Sequence, residues 1–270
     1  MIIAELCGNH NGDTDTLKEM VKQASEAGAK FAKIQSFFAS DLTAQFRQDY
    51  DRIKKCELGV DGLARFTDYC HKFEITPMTT TYSFDICTEL KRVGIKHVKI
   101  ASPHARDSAL IRKYLLAGFK VYVSTGGWNL REIPKLETVS CYMHTVSQYP
   151  SDPYKANISR MLEMKQWFPR VPYGFSDHTD PTHKKWDVPV KLALLCGASV
   201  IEKHFTVLDR DATKDGVVSI DKKQLEDIVN FSTLSTEDKL KAKPELGLYY
   251  YPQTEAEQKL VKKYEGRFKR

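Results

Sequence analysis

Several signals are missing from this chain, and each absence narrows what it does. Its six cysteines (Cys7, Cys56, Cys70, Cys87, Cys141 and Cys196) are scattered, with no CxxC pair. That spacing argues against a disulfide framework and against a zinc knuckle. The expected role is small apolar filler in a reducing cytoplasm. No segment approaches the roughly 18 apolar residues needed to span a bilayer, so no membrane partner is expected. The opening Met1-Ile2-Ile3-Ala4-Glu5 reads as a strand and lacks the charged and apolar regions of a secretory leader. There is no internal repeat. The net charge of +6 comes without the interleaved aromatics of a nucleic-acid module, so no nucleic acid is expected. Part of the excess is a cluster of Lys259, Lys262, Lys263, Arg267, Lys269 and Arg270, expected to be a solvated helix face or tail. A modest positive balance suits a small anionic substrate.

What is present is alternation. Strand-like runs at residues 2–6, 31–36, 76–80, 97–101, 120–124, 140–145, 172–176 and 199–204 alternate with amphipathic stretches. In the first of these Leu17, Val21, Ala24 and Ala27 recur at helical spacing. Asp13 or Asp15 can cap its start and Gly28 can end it. Residues 63–73, 83–93, 108–116, 188–196, 222–231 and 255–264 read as further helices. The 270 residues suffice for one barrel domain. Eight such units predict an α/β protein, a (β/α)8 TIM barrel over residues 1–232. An open doubly wound sheet is the alternative, but the first turn, Gly8-Asn9-His10-Asn11-Gly12, is no GxGxxG fingerprint. Residues 39–59 form a longer connection, a candidate lid or partner contact. Residues 233–270 are a polar extension with one short helix, broken at Lys243-Pro244 and Tyr251-Pro252.

Strand ends converge on one mouth of a barrel, where active sites form. Here nearly every strand ends in a chemically capable group: Glu5 on the first, Lys33 and Gln35 on the second, Thr79 and Thr80 on the third, Lys99 with Ser102 and His104 on the fourth. Ser124 and Thr125 end the fifth, His144 with Ser147 and Tyr149 the sixth, Ser176, Asp177 and His178 the seventh, Glu202, Lys203 and His204 the eighth. Lys33 and Lys99 sit on different strands and suit an anion clamp. Ser124-Thr125-Gly126-Gly127 offers hydroxyls and glycine amides to a phosphate, or is an ordinary strand-to-helix turn. His178 and His204 end adjacent strands. They fit a two-histidine site for Mn, Fe, Co or Zn, acting as a Lewis acid, and fit equally two core histidines bonded to backbone.

The segment from Ile2-Ile3-Ala4-Glu5-Leu6 through Asn9-His10-Asn11-Gly12 resembles the opening of the N-acetylneuraminate (sialic acid) synthase family. So do Lys33-Ile34-Gln35, Lys99-Ile100-Ala101-Ser102, Ser124-Thr125-Gly126 and Tyr149-Pro150. The most specific pieces are Gly174-Phe175-Ser176-Asp177-His178-Thr179 and Ile201-Glu202-Lys203-His204-Phe205-Thr206, and the match runs over residues 2–220. The resemblance implies condensation of phosphoenolpyruvate with an aldose (N-acylmannosamine-like or related), giving a 3-deoxy-2-keto sugar acid and phosphate. It implies His178 and His204 as ligands of a divalent metal, Mn2+ in the usual members, with Co2+, Fe2+ or Zn2+ as alternatives. Lys33, Thr80, Lys99, Ser102, Ser124 and Ser176 correspond to the phosphoenolpyruvate cradle. Gln35, Tyr149 and Asp215 correspond to acceptor contacts, and Glu5 to the acid/base. Ser147 joins the expected substrate-binding set. A cytoplasmic homodimer is the expected setting.

The departures fall near the acceptor. His104 stands where the family usually has an acidic residue touching the sugar, and Gly127-Trp128 replaces Met plus a small residue. The chain is also expected to lack the family's C-terminal antifreeze-like domain. Those changes keep two rivals open: a different metal-dependent aldolase, and a non-catalytic or partner-dependent barrel that binds a phosphorylated ligand.

Overall fold

The computed structural model describes residues 1–242, 254–265 and 267–268. Lys243-Pro244, Tyr251-Pro252, Lys269 and Arg270, singled out above, lie outside the described residues. Eight parallel strands close into a barrel in chain order. They are β1 Ile2–Cys7, β2 Phe31–Ser36, β3 Thr76–Thr81, β4 His97–Ile100, β5 Lys120–Ser124, β6 Cys141–Thr145, β7 Tyr173–Asp177 and β8 Val200–His204. The helices are α1 Thr14–Glu26, α2 Tyr50–Lys55, α3 Gly59–Lys72, α4 Cys87–Arg92, α5 Ser108–Leu116, α6 Arg160–Trp167, α7 Val188–Leu195, α8 Lys222–Thr233, α9 Thr236–Lys241 and α10 Glu255–Tyr264. Closure of the sheet removes the open-sheet alternative. The sequence pattern does not anticipate α2, α6 or α9.

Local chemistry sets these boundaries. Asp13 caps α1 by accepting the Thr16 amide at 2.6 Å, a contact worth about 1 kcal/mol in such positions. Gly28 follows the helix at φ +86°, the left-handed turn glycine adopts without a Cβ penalty.

Strand alternation sorts the side chains into two sets. Outward residues such as Ala4, Leu6, Ala32, Ile34, Val98, Ile100, Val121 and Val123 join Leu17, Val21, Phe66 and Ile111 in the main core between strands and helices. Inward residues Ile3, Phe31, Met78, Tyr122, Cys141, Met143 and Val200 form a separate apolar cluster that plugs the barrel. Two residues further along the same strands, the inward positions are Glu5, Lys33, Thr80, Ser124, Thr145 and Glu202, and these turn polar. An apolar floor therefore carries a polar chamber.

A third cluster lies over the mouth. Phe37, Ala39, Leu42, Phe46, Ile53 and Phe268 are buried together, with Tyr50, Cys56, Tyr82 and Tyr264 against them. Residues 39–59 are thus folded onto the barrel as short helical turns, and the C-terminal segment completes their core. Arg267 belongs to this packing. It pairs with Asp49 at 2.9 Å and lies 5.2 to 5.7 Å from the ring centroids of Tyr264, Phe268 and Phe46. That corrects the expectation of a wholly solvated basic tail, although Lys259 fits it, with a side chain 79% exposed.

Candidate active site

The inward polar residues of all eight strands line one cavity of about 500 Å³. Every residue given a substrate, metal or acid/base role by the family resemblance, and Ser147, is on its wall, His104 excepted: Glu5, Lys33, Gln35, Thr80, Lys99, Ser102, Ser124, Ser147, Tyr149, Ser176, His178, His204 and Asp215. His104 is 1% exposed and sits edge-on behind Tyr82, ring centroids 6.0 Å apart. Tyr82 is the residue that reaches the cavity. The direct sugar contact expected of His104 is therefore not what its position provides.

Alternation also separates wall from scaffold among the other polar residues. Asp177 and Lys203 face outward and pair at 2.7 Å, fully buried. Lys203 also donates to the Thr179 carbonyl at 2.7 Å, and Asp177 accepts the Thr179 amide and hydroxyl. This pair locks the ends of β7 and β8 and leaves Ser176, His178, Glu202 and His204 pointing inward. His144 likewise faces outward, with Nε2 2.8 Å from the Ala156 carbonyl oxygen and Nδ1 3.5 Å from Arg160. Thr79 bonds Ser36 at 2.7 Å. Asn9 stitches the β1 loop to the β8 loop by donating to the Phe205 carbonyl and Ser219 and accepting from Thr213.

At the chamber's centre four charges meet. Lys33 forms an ion pair with Glu5, donates to Thr80 at 2.7 Å and lies 3.6 Å from Glu202. Lys99 donates to Glu202 at 2.5 Å and to Ser176 at 3.2 Å. Glu202 was not assigned a role from the sequence, yet it bridges both lysines. The signal for it is its place two residues before His204 on an inward-facing strand. Burial pulls the Lys33 ammonium down to about 7; Glu202 opposes the shift and Lys99 adds to it. Burial pushes the Glu202 carboxyl up, but Lys33 and Lys99 outweigh it and leave it below the usual carboxylate range.

Above this layer stand the histidines, ring centroids 5.3 Å apart. Burial pulls His178 down to about 4. Burial, then His178, hold His204 well below the ordinary imidazole range. Both are therefore neutral near pH 7, the form that ligates metals. His178 Nδ1 lies 2.8 Å from the Val146 carbonyl oxygen, to which it must donate, which leaves the lone pair on Nε2. His204 Nδ1 is buried without a hydrogen-bond partner. Tyr149 packs against His178 at 4.0 Å between centroids. This donor set fits a divalent ion: two neutral imidazoles, one with an uncommitted buried nitrogen.

The phosphate-side loop is equally constrained. The Gly126 amide donates to Ser102 Oγ at 3.1 Å. A Cβ at Gly126 would collide with Ser147 and Thr145, so only glycine lets the loop pass. Next to it Gly127 holds φ +72°, and a Cβ there would strike Val261 and the Glu257 carbonyl of α10. Glu257 in turn accepts the Ser147 amide at 3.0 Å. Helix α10 thus docks on the β5 and β6 loops, and Leu260, Val261, Tyr264 and Arg267 form part of the cavity wall with Arg52 and Lys214. None of these six was expected at the site from the sequence, where Arg267 counted only as part of a basic cluster.

Known proteins resemble this arrangement. The NeuB family model matches residues 20–241. An uncharacterized protein of Methanocaldococcus jannaschii is 32% identical, over 85% of this chain and 68% of its own length. The N,N'-diacetyllegionaminic acid synthase of Campylobacter jejuni is 28% identical over 83% of this chain and 73% of its own. The crystal structure of N-acetylneuraminic acid (sialic acid) synthetase from Leptospira borgpetersenii, in complex with citrate, superposes with a TM-score of 0.79 at 27% identity. That match covers 97% of this chain and 90% of that one.

Proposed function

The chain belongs to the NeuB family, and from that membership and the chamber's chemistry we propose that it condenses phosphoenolpyruvate with an aldose, N-acylmannosamine-like or related. The products are a 3-deoxy-2-keto sugar acid and phosphate. One observation carries the reading: Lys33, Lys99, Glu5 and Glu202 meet beneath two neutral histidines in one chamber. A non-catalytic anion binder needs the lysines but has no use for two carboxylates that compete for them.

Phosphoenolpyruvate sits with its anionic groups on Lys33 and Lys99, oriented by Thr80, Ser102, Ser124 and Ser176. The aldose lies above, against Gln35, Tyr149 and Asp215. C3 of phosphoenolpyruvate attacks the aldehyde carbon, and the cation that develops at C2 is stabilised by Glu5 and Glu202. Water adds at C2 while Glu5 takes one of its protons and passes it to the alkoxide formed from the aldehyde oxygen. The tetrahedral intermediate then expels phosphate by C–O cleavage, its hydroxyl becoming the keto group and the hydroxyl proton leaving with the phosphate. A divalent ion held by His178 and His204 supplies Lewis-acid polarisation of the aldehyde oxygen when bound.

The test is phosphate release from phosphoenolpyruvate, with Mn2+, Co2+, Fe2+ or Zn2+ in parallel and aldoses of varied length and N-acylation, and mass detection of the condensed acid. Phosphate release that requires both substrates is the expected result. Release without an aldose, or none across the panel, would reject the condensation.

A further inference from the structure

The strongest unassigned feature is at the end of β1. Between Glu5 and Cys7 the register against β2 shifts, and Cys7 takes φ +40°, a region that residues with a Cβ rarely enter. Glu5 Oε1 accepts the Cys7 amide at 2.8 Å and holds that turn. The result is a thiol, 2% exposed, beside the histidine of β8. Cys7 Sγ, a His204 ring nitrogen and an Asp215 carboxylate oxygen all lie within 4.8 Å of one another. His204 Nδ1 is buried and unpartnered. Asp215 is held over the site by its own turn, where Ser219 Oγ donates to the Asp215 carbonyl at 2.7 Å. Asn9 in turn holds Ser219. A filler cysteine needs neither the left-handed backbone nor two further donors around it. No other three-residue group of His, Cys, Asp and Glu meets these distances among the described residues.

We propose that Cys7 and Asp215 join His204 as protein ligands of the divalent ion, which makes a mixed thiolate, imidazole and carboxylate centre. His178 stands beside it as the second histidine of the function proposed above, and the inference rests on that reading only for the presence of an ion. Binding replaces the thiol proton by the metal, and the proton leaves to solvent. A thiolate ligand biases the site toward Zn2+, Fe2+ or Co2+ and away from the harder Mn2+.

Cobalt substitution tests this on the full chain, because a thiolate on Co2+ gives a near-ultraviolet charge-transfer band that imidazole and carboxylate do not. Wild-type protein loaded with one equivalent of Co2+ should show that band together with the visible d–d bands. Cys7→Ser should lose the charge-transfer band, keep the d–d bands and bind Co2+ at least about tenfold more weakly. Asp215→Asn should keep the band with a similar loss of affinity, and Cys56→Ser should change neither. The proposal falls if cobalt-loaded wild type lacks the band, if Cys7→Ser retains it, or if no cobalt binds. The wild-type spectrum decides even if Cys7→Ser misfolds. Failure of the condensation reading would look different: the band present, and no phosphate released.

Discussion

Lys33 is the residue whose charge depends most on what surrounds it. With its ammonium pulled to about 7 by burial, much of it is neutral in the ligand-free protein at pH 8. A bound anion favours the charged form and raises that value again. Phosphoenolpyruvate binding at pH 8 should therefore take up a proton, and the uptake should vanish below pH 6, where Lys33 is already charged. Calorimetry in buffers of different ionisation enthalpy measures it. Lys33→Met should abolish the uptake and weaken phosphoenolpyruvate binding by about a hundredfold, the scale of a lost charge-assisted contact of roughly 3 kcal/mol. His144 gives a prediction for stability. Burial, then Arg160, pull it down to about 3, so the folded protein refuses a proton that the unfolded chain accepts below about 6.5. The unfolded state then binds more protons, and stability falls as pH drops through that window. From pH 7 to pH 5 this one group should cost about 2 kcal/mol. His144→Gln should flatten that part of the urea-midpoint profile.

At the scale of elements, the two-residue period of β7 and β8 divides their motifs between chemistry and support. Asp177 and Lys203 face away from the chamber and pair where neither reaches water. Removing one partner strands a buried charge, a loss of about 3–5 kcal/mol. Lys203→Met should lower the thermal midpoint sharply, while the protein that remains folded binds phosphoenolpyruvate as wild type does. Unchanged stability would mean that the pair is not a scaffold. The eight strands are legible in the sequence because each is a short run built on apolar, aromatic or β-branched residues that leads into polar groups before a turn or helix. Ser176, His178 and His204 are legible because alternation alone sends them inward. Helix α6 escapes notice because it buries only Arg160, Met161 and Met164, and one of those is charged. His104 misleads because nothing in its local pattern reports that Tyr82, from another strand's loop, stands in front of it.

At the scale of the whole molecule, the mouth is closed by segments distant in sequence, and local pattern cannot report that. Helix α10 is visible as an amphipathic stretch, but its resting place depends on Gly127, Ser147 and Phe46, all more than a hundred residues away. Gly127 is a point of close approach between the β5 loop and α10. It departs from the methionine of the family pattern, and its missing side chain is what gives Val261 and the α10 backbone room to dock. The glycine at residue 127 and the docking of α10 are one structural solution. Gly127→Met should therefore expel α10: the loop would need a left-handed backbone with a side chain and would overlap the helix. Val261 joins the edge of the main core, but the eight strands pair with one another and not with α10, so far-ultraviolet dichroism should be largely kept. Limited proteolysis should cut first around residues 254–265. With Leu260, Val261, Tyr264 and Arg267 gone from the wall, the aldose KM should rise by about tenfold or more, a loss of about 1.4 kcal/mol. Phosphoenolpyruvate, held below by Lys33 and Lys99, should bind within about threefold of wild type. A chain ending at Ala242 should reproduce both effects. An aldose KM unchanged in both variants would show that α10 covers the mouth without touching the substrate.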